Sequence, residues 1–483
     1  MRIITVCALV CSFFITSLAQ ATQNDRQQFI RVEAPIVILK HVRVIDGTGA
    51  APIEDQTIFI KDGKIQSIGP RDDLIQTDAR VLDLSGYTVL PGLVGMHDHL
   101  FFPMGGTPPM YSNMGFSFPR LYLALGVTTI RTTGSVQPYL DLEIKKLIDS
   151  GRMIGPKIHV TAPYLEGVGS FTPVMHTLTG ADDARKLVNY WADQGATSFK
   201  AYMNITRDEL RAAVEEAHKR GLKVTGHLCS IGFREAAEIG IDNLEHGIFP
   251  DSEFVPNKQP DKCPGASVGV TLRELDINSE PVKETIRTLV AKNVAVTSTL
   301  PVFEASAPLA NQHLGPTVIG ATNGVLNDRA LRAMSPDARL RYLTARSFIS
   351  PDSLQPLLIR KSMDFERAFV AAGGLLLAGL DPTGNGGVVA GFGDLREVEL
   401  LVVAGFTPVE AIKIATLNGA KFLGEDSRIG SIAIGKQADL MIVKGNPAAK
   451  ISDIENVEIV FKDGVGYDSE KLIQSVQGLV GIR

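Results

Sequence analysis

The stretch Pro91-Gly-Leu-Val-Gly-Met-His97-Asp98-His99 limits the folds open to this chain more than any other. It reads as a short buried strand that ends in two histidines spaced i, i+2. Side chains two apart on a strand share a face, so both imidazoles can reach one metal ion if that face lines the inside of a barrel. On a helix the same spacing would separate the rings by roughly 200°. The plain alternative is two polar residues hydrogen-bonded at a strand end, and the rest of the chain must decide between them.

From about residue 90 to 420, strand and helix patterns alternate. Candidate strands end near His99, Thr133, Ala162, Tyr202, His227, His246, Leu300 and Asp381, eight in all. Between them lie well-marked helices. Thr206-x-x-Glu209 is a capping box and Gly221 stops that helix. Thr407-Pro408-x-Glu410 opens another with proline at the first helical position, and Gly195 closes the helix that carries Tyr190 and Trp191. Eight such units specify an α/β fold, a (β/α)8 TIM-like barrel with its helices outside. A doubly wound open sheet would need a glycine-rich phosphate turn after the first strand, and none follows His99. On either side the period changes to two, with Asp62-Gly63 and Asp463-Gly464 as hairpin turns. The echo of Ile60-Lys-Asp-Gly in Phe461-Lys-Asp-Gly suggests that residues 34–89 and 425–475 build one small composite β-sandwich around a barrel of residues 90–424.

Residues 1–21 read as a signal peptide. Arg2 is the positive start, Ile3 to about Ile15 the apolar run, and Ala19-Gln20-Ala21 the cleavage site. The run is short for a membrane span and is soon followed by polar residues, although an uncleaved anchor is the alternative. Val6 and Val10 precede Cys7 and Cys11 where a lipoprotein signal would want a small residue. The expectation is an exported protein, periplasmic or extracellular, starting near Thr22. Its remaining cysteines, Cys229 and Cys263, fall in loops at the same end of the barrel; export permits a bridge, and a core this large does not require one. A net charge of −5 argues against a nucleic-acid partner, which leaves a small-molecule substrate and a possible homo-oligomer.

Active sites of such barrels lie at the C-terminal ends of the strands. There Lys200 closes Ala196-Thr-Ser-Phe-Lys, His227 closes Lys223-Val-Thr-Gly-His, His246 closes Asn243-Leu-Glu-His, and Asp381 ends Leu375-Leu-Leu-Ala-Gly-Leu-Asp. Four of the nine histidines sit at strand ends, a coincidence that favours metal binding. His97, His99 and Asp381 suit one divalent ion, His227 and His246 a second, and two ions together would clamp a hydroxide and polarise a carbonyl. Lys200 is the difficulty, because an ammonium between two dications has no lone pair to give. It can serve only as a carbamate formed with CO2.

His97-x-His99, Lys200, His227, His246 and Asp381, on strands one, four, five, six and eight, resemble the amidohydrolase superfamily. Gly126-Val-Thr-Thr-Ile-Arg131, Thr407-Pro-x-Glu-Ala-x-x-x-Ala415-Thr-x-Asn418 and Gly435-Lys-Gln-Ala-Asp439 extend the likeness over essentially the whole mature chain. The nearest branch is that of imidazolonepropionase-like and prolidase-like metal-dependent hydrolases, which includes dipeptidases and N-acyl amino acid hydrolases. The resemblance implies a binuclear site, usually zinc, bridged by carboxylated Lys200, with Asp381 as general base toward a hydroxide shared by the ions. One departure is Leu380, where the family often has threonine; it neighbours a ligand and is not one.

Tyr202, two residues past Lys200 on the same inward face, is the candidate donor to the developing oxyanion, a packed aromatic being its plain alternative. Arg131 is a candidate for a substrate carboxylate, with a structural ion pair as the alternative. His159 and His176 read as scaffold, with a substrate contact as the alternative for His176, which lies in the loop after strand three. The loop Leu100 to Phe118, rich in aromatics and methionines, reads as an apolar wall or as a loop packed on the rim. Long insertions after strands six (Phe249 to Pro281) and seven (Pro301 to Ser350) are expected over the mouth. The activity expected is amide hydrolysis, of a dipeptide or N-acyl amino acid. Cyclic amides, lactones and organophosphates suit the same ligands, and a binding protein without turnover is the remaining alternative.

Overall fold

The computed structural model describes residues 26–70, 78–106, 109–170, 172, 174–308 and 328–482. The signal-peptide reading and part of the insertion after strand seven lie outside these residues. Among the described residues no helix is long and apolar enough to cross a membrane.

The eight expected strands are all present: β1 (Leu93–Asp98), β2 (Val127–Thr132), β3 (Lys157–Leu165), β4 (Ser198–Ala201), β5 (Lys223–Gly226), β6 (Asn243–Glu245), β7 (Ala295–Ser298) and β8 (Leu376–Ala378). Each pairs in parallel with the next in chain order. The first and last meet where the Asp381 amide donates to the His97 carbonyl at 2.9 Å. Gly379 makes that approach feasible, since a Cβ there would lie 2.4 Å from the His97 Cβ. The strands are buried on both faces, as a parallel barrel demands. At the floor, Ala420 and Phe422 of helix Gly419–Leu423 pack on Val94, Met96, Ala295 and Leu377.

The helix signals are realised as hydrogen bonds. Thr206 Oγ1 accepts from the Glu209 amide at 3.3 Å while the Glu209 carboxylate accepts from the Thr206 amide at 2.9 Å. Thr407 and Glu410 repeat the arrangement, and Gly195 ends its helix at φ 101°.

Both ends of the chain enter one sheet of nine strands, ordered Ile30–Val32, Val465–Asp468, Val457–Lys462, Leu440–Lys444, Tyr87–Pro91, Ile36–Val44, Ile53–Lys61 and Lys64–Gly69, with Arg80–Asp83 beside Ile36–Val44. The sheet folds over a core of its own that includes Leu39, Ile58, Ile60, Leu440, Ile442 and Phe461. The two similar Asp-Gly turns explain their own likeness. All four residues have positive φ, from 50° at Asp62 to 81° at Gly464, as two-residue hairpins require. The turns also stack: a Cβ on Gly464 would lie 2.4 Å from Gly63 Cα, so glycine is needed for contact as well as for backbone angle.

The Leu100–Phe118 segment is more regular than expected. Phe101–Pro103 pairs antiparallel with Tyr111–Asn113, and helix Ser117–Ala124 begins within it. Cys229, just past β5, is bonded to Cys263 in the insertion after β6, which settles a pairing the sequence left open.

Candidate metal centre

Strand alternation sets most of this site. Ser198, Lys200 and Tyr202 point inward from β4 and its end; Thr225 and His227 do so from β5. His246 breaks the rule. Asn243 and Glu245 take the inward positions on β6, so His246 should face outward, yet a left-handed backbone (φ 71°) turns it in. Asp381 reaches the site by the same device, at φ 48°. Such angles are unfavourable for residues with a Cβ and cluster where function demands a particular aim.

His97, His99 and Asp381 each present a ligand atom, and these lie within 4.8 Å of one another. His97 Nε2 is 3.8 Å from Asp381 Oδ2, and His99 Nε2 is 3.6 Å from Asp381 Oδ1. The His97 and His246 rings are 4.5 Å apart between centroids, as are those of His227 and His246. Each anchored ring holds its Nδ1 elsewhere: His97 on Glu245 at 2.7 Å, His99 on the Gly134 carbonyl at 3.1 Å, His246 on Thr299 Oγ1 at 2.7 Å. For His97 and His99 the Nε2 atoms are thereby turned to Asp381, the arrangement that outer partners of metal-bound histidines provide.

Burial keeps these rings neutral, with their lone pairs available. It pushes His227 down to about 3, with Lys200 and His97 adding repulsion. His99 and His246 lie well below the usual imidazole range, first through burial and then through the positive neighbours around them. His97 is lowered too, although Glu245 and Asp381 oppose burial there. Burial also brings Lys200 down to about 8, against the pull of Glu245. Lys200 Nζ and Asp381 Oδ1 are buried with no hydrogen-bond partner. Orphaned polar atoms among neutral imidazoles are costly unless something binds them, so the donor set fits a divalent metal centre.

The site opens into a pocket whose wall includes Phe101, Tyr111, Val136, Tyr164, Met175 and Tyr202. The Tyr202 ring lies tilted against His227, their centroids 4.9 Å apart, which puts it beside the candidate ligands. Of the two readings of the loop after β1, Phe101 and Tyr111 favour the wall.

Two substrate-contact expectations are corrected. Arg131 points below the site, 1% exposed; it donates to Glu245 at 2.8 Å and to the Met96 carbonyl at 2.9 Å. Its inward position on β2 lies too deep in the barrel to reach the pocket. His176 pairs with Asp183 at 3.0 Å, on the outer side of the loop, and its neighbour Met175 lines the pocket instead. His159, read as scaffold, pairs with Glu425.

Glu245 is the residue that sequence reasoning missed. Fully buried, it receives Arg131, the Thr225 hydroxyl and the Asn243 amide while holding His97. Attention to strand ends passed over it; the i, i+2 alternation from Asn243 would have found it.

A nearly closed eight-stranded barrel with imidazoles, lysine and aspartate at its C-terminal mouth has the donor set that a metal-assisted hydrolase of the α/β-barrel class would need. Comparison with known proteins makes this specific. Residues 88–465 match the amidohydrolase family, and the chain belongs to that family. The imidazolonepropionase of Geobacillus kaustophilus (strain HTA426) is 24% identical over 476 residues, covering 86% of this chain and 91% of the relative. Among solved structures, a Xaa-Pro dipeptidase with methionine bound in its active site superposes with a TM-score of 0.64 at 20% identity, covering 90% of this chain and all of that one (100%). Bottromycin amidohydrolase does so at 0.66 and 20%, covering 92% and 91%. The protein is thus a hydrolase of the amidohydrolase family, acting on carbon–nitrogen bonds of small molecules.

Proposed function

We propose that the chain is an exported hydrolase carrying two divalent ions, zinc first among candidates, and that it cleaves the amide bond of a dipeptide or N-acyl amino acid skeleton. The observation that carries this reading is the pair of orphaned atoms, Lys200 Nζ and Asp381 Oδ1, buried among four imidazoles held neutral. His97, His99 and Asp381 would hold one ion, and His227 and His246 the other. Lys200 would lie between them once its neutral amine has added CO2 and lost a proton to give a carbamate, a step that its lowered pKa favours.

Such ions, when bound, lower the pKa of water toward neutrality and polarise a carbonyl. Asp381 accepts the proton of the attacking water and passes it to the leaving nitrogen. A C–O bond forms, the C–N bond breaks, and an acid and an amine result. Tyr202, at the rim on the His227 side, donates to the carbonyl oxygen as charge builds there. Export is supported by the signal-like residues 1–21 and by the Cys229–Cys263 bridge, which belongs in an oxidising compartment.

The test is a panel of linear amides, hydantoins, lactones and phosphotriesters given to protein prepared with zinc and bicarbonate. Linear amides should be hydrolysed, and Asp381→Asn should lower turnover by about 10²–10⁴-fold while bound metal is retained. Turnover confined to lactones or phosphotriesters, or function indifferent to Asp381→Asn, would overturn the proposal.

A further inference from the structure

The wall of the pocket is selective in what it omits. Apart from Lys200 and Asp381, which belong to the candidate metal centre, the described residues lining it carry no charged side chain, the imidazoles being held neutral by burial. The guanidinium expected there, Arg131, is committed below the floor to Glu245. Two arginines of helix Pro336–Ser347 have other partners. Arg341 donates to the Met104 carbonyl at 2.9 Å and to Asp337 at 2.7 Å, and Arg346 donates to the Ala305 carbonyl and the Tyr342 hydroxyl. The undescribed residues near these loops, 107–108, 171, 173 and 309–327, contain no lysine or arginine in their sequence.

What the pocket does offer is flat and apolar. Phe101 stacks on His99 with centroids 4.3 Å apart, and Tyr111 meets Phe101 edge-on at 5.1 Å. Tyr164 and Tyr202 form a second edge-on pair at 4.9 Å. Val136 and Met175 fill the gaps between. Met110 (58% exposed) and Val174 (50%), the chain neighbours of Tyr111 and Met175, face solvent.

A carboxylate entering this space would lose its hydration and find no cation outside the metal centre, whose ligand positions the scissile carbonyl must use. Asp381 would repel it besides. An aromatic or branched apolar group would instead bury its surface against four rings. We infer that the substrate is an uncharged amide: its acyl or amine portion carries an aromatic or bulky apolar group, and the carboxylate of an amino acid skeleton is masked or absent. This rests on the hydrolase reading above and, within it, sets aside free dipeptides and free N-acyl amino acids in favour of their esters, amides and decarboxylated counterparts.

Matched pairs test it on the zinc- and bicarbonate-loaded full chain: N-benzoyl-phenylalanine against N-benzoyl-phenethylamine, which differ only by the carboxylate. The uncharged member should be hydrolysed with a kcat/KM at least about tenfold higher, the difference residing mainly in KM. Equal turnover, or preference for the free acid, would overturn the inference. Binding of the same pair to metal-loaded Asp381→Asn, followed by calorimetry, separates the two readings. Tighter binding of the uncharged amide by at least about tenfold, with no turnover of any amide by the parent protein, would uphold the pocket's preference and remove the hydrolase. Met175→Arg, which places a cation in the wall, should shrink the preference at least about tenfold; an unchanged ratio in a variant that melts like the parent counts against the inference.

Discussion

At the scale of single residues, two members of the site are exceptions to strand geometry. His246 and Asp381 occupy left-handed backbone that costs on the order of 1–3 kcal/mol each, and the surrounding barrel enforces it. Their identity as candidate ligands was legible because histidine and aspartate at strand ends are rare by chance. Their orientation was not, because alternation alone turns His246 outward. Tyr202 was legible for the opposite reason, since it obeys alternation from Lys200. In the proposed mechanism its hydroxyl acts on the carbonyl oxygen only as charge develops. Tyr202→Phe should therefore lower kcat by about 10²-fold and leave KM within a few-fold. A variant in which KM alone rises would mark Tyr202 as a packing contact.

At the scale of the strand, β6 links floor to mouth. Glu245 balances Arg131 below and orients His97 above, so one carboxylate serves both stability and the metal centre. Glu245→Gln leaves a buried guanidinium without its counter-charge. The expected cost is about 3–5 kcal/mol in chemical denaturation, together with about 10–100-fold weaker metal binding. Wild-type values of both would show that Glu245 is incidental. Arg131 teaches the complementary lesson: sequence places it inward, but depth along the strand decides whether inward means pocket or floor.

The helix after β2 makes a separate, pH-dependent prediction. Asp141 of helix Pro138–Asp149 is buried against the Ser135 hydroxyl, and burial pushes its carboxyl up to about 7. An unfolded aspartate ionises near 3.9, so its burial costs nothing below that pH. The cost grows as the pH rises to about 7 and is constant above. Asp141→Asn should thus leave the melting temperature nearly unchanged near pH 4 and raise it relative to the parent above pH 7, as scanning calorimetry across that range would record. A gain that is the same at both ends would contradict the assignment.

For the whole molecule, the architecture was readable from period. Eight strands at helical intervals, flanked by two stretches of period two, leave a barrel with a composite sheet as the economical solution, and the stacked Asp-Gly turns at positions 62–63 and 463–464 join its halves. Contacts between distant segments were not readable. Nothing local marks Phe422 as a floor residue or Cys263 as the partner of Cys229, because each depends on how loops from different strands meet. The central claim concerns such a meeting too: six side chains spread over β1 to β8 converge to hold two ions around a modified Lys200. Metal analysis of protein prepared with zinc and bicarbonate, alongside Lys200→Met, tests it directly. About two equivalents per chain, falling to one or none in the variant, is the predicted result; one equivalent or less in the parent, or loading unaffected by Lys200→Met, would contradict it.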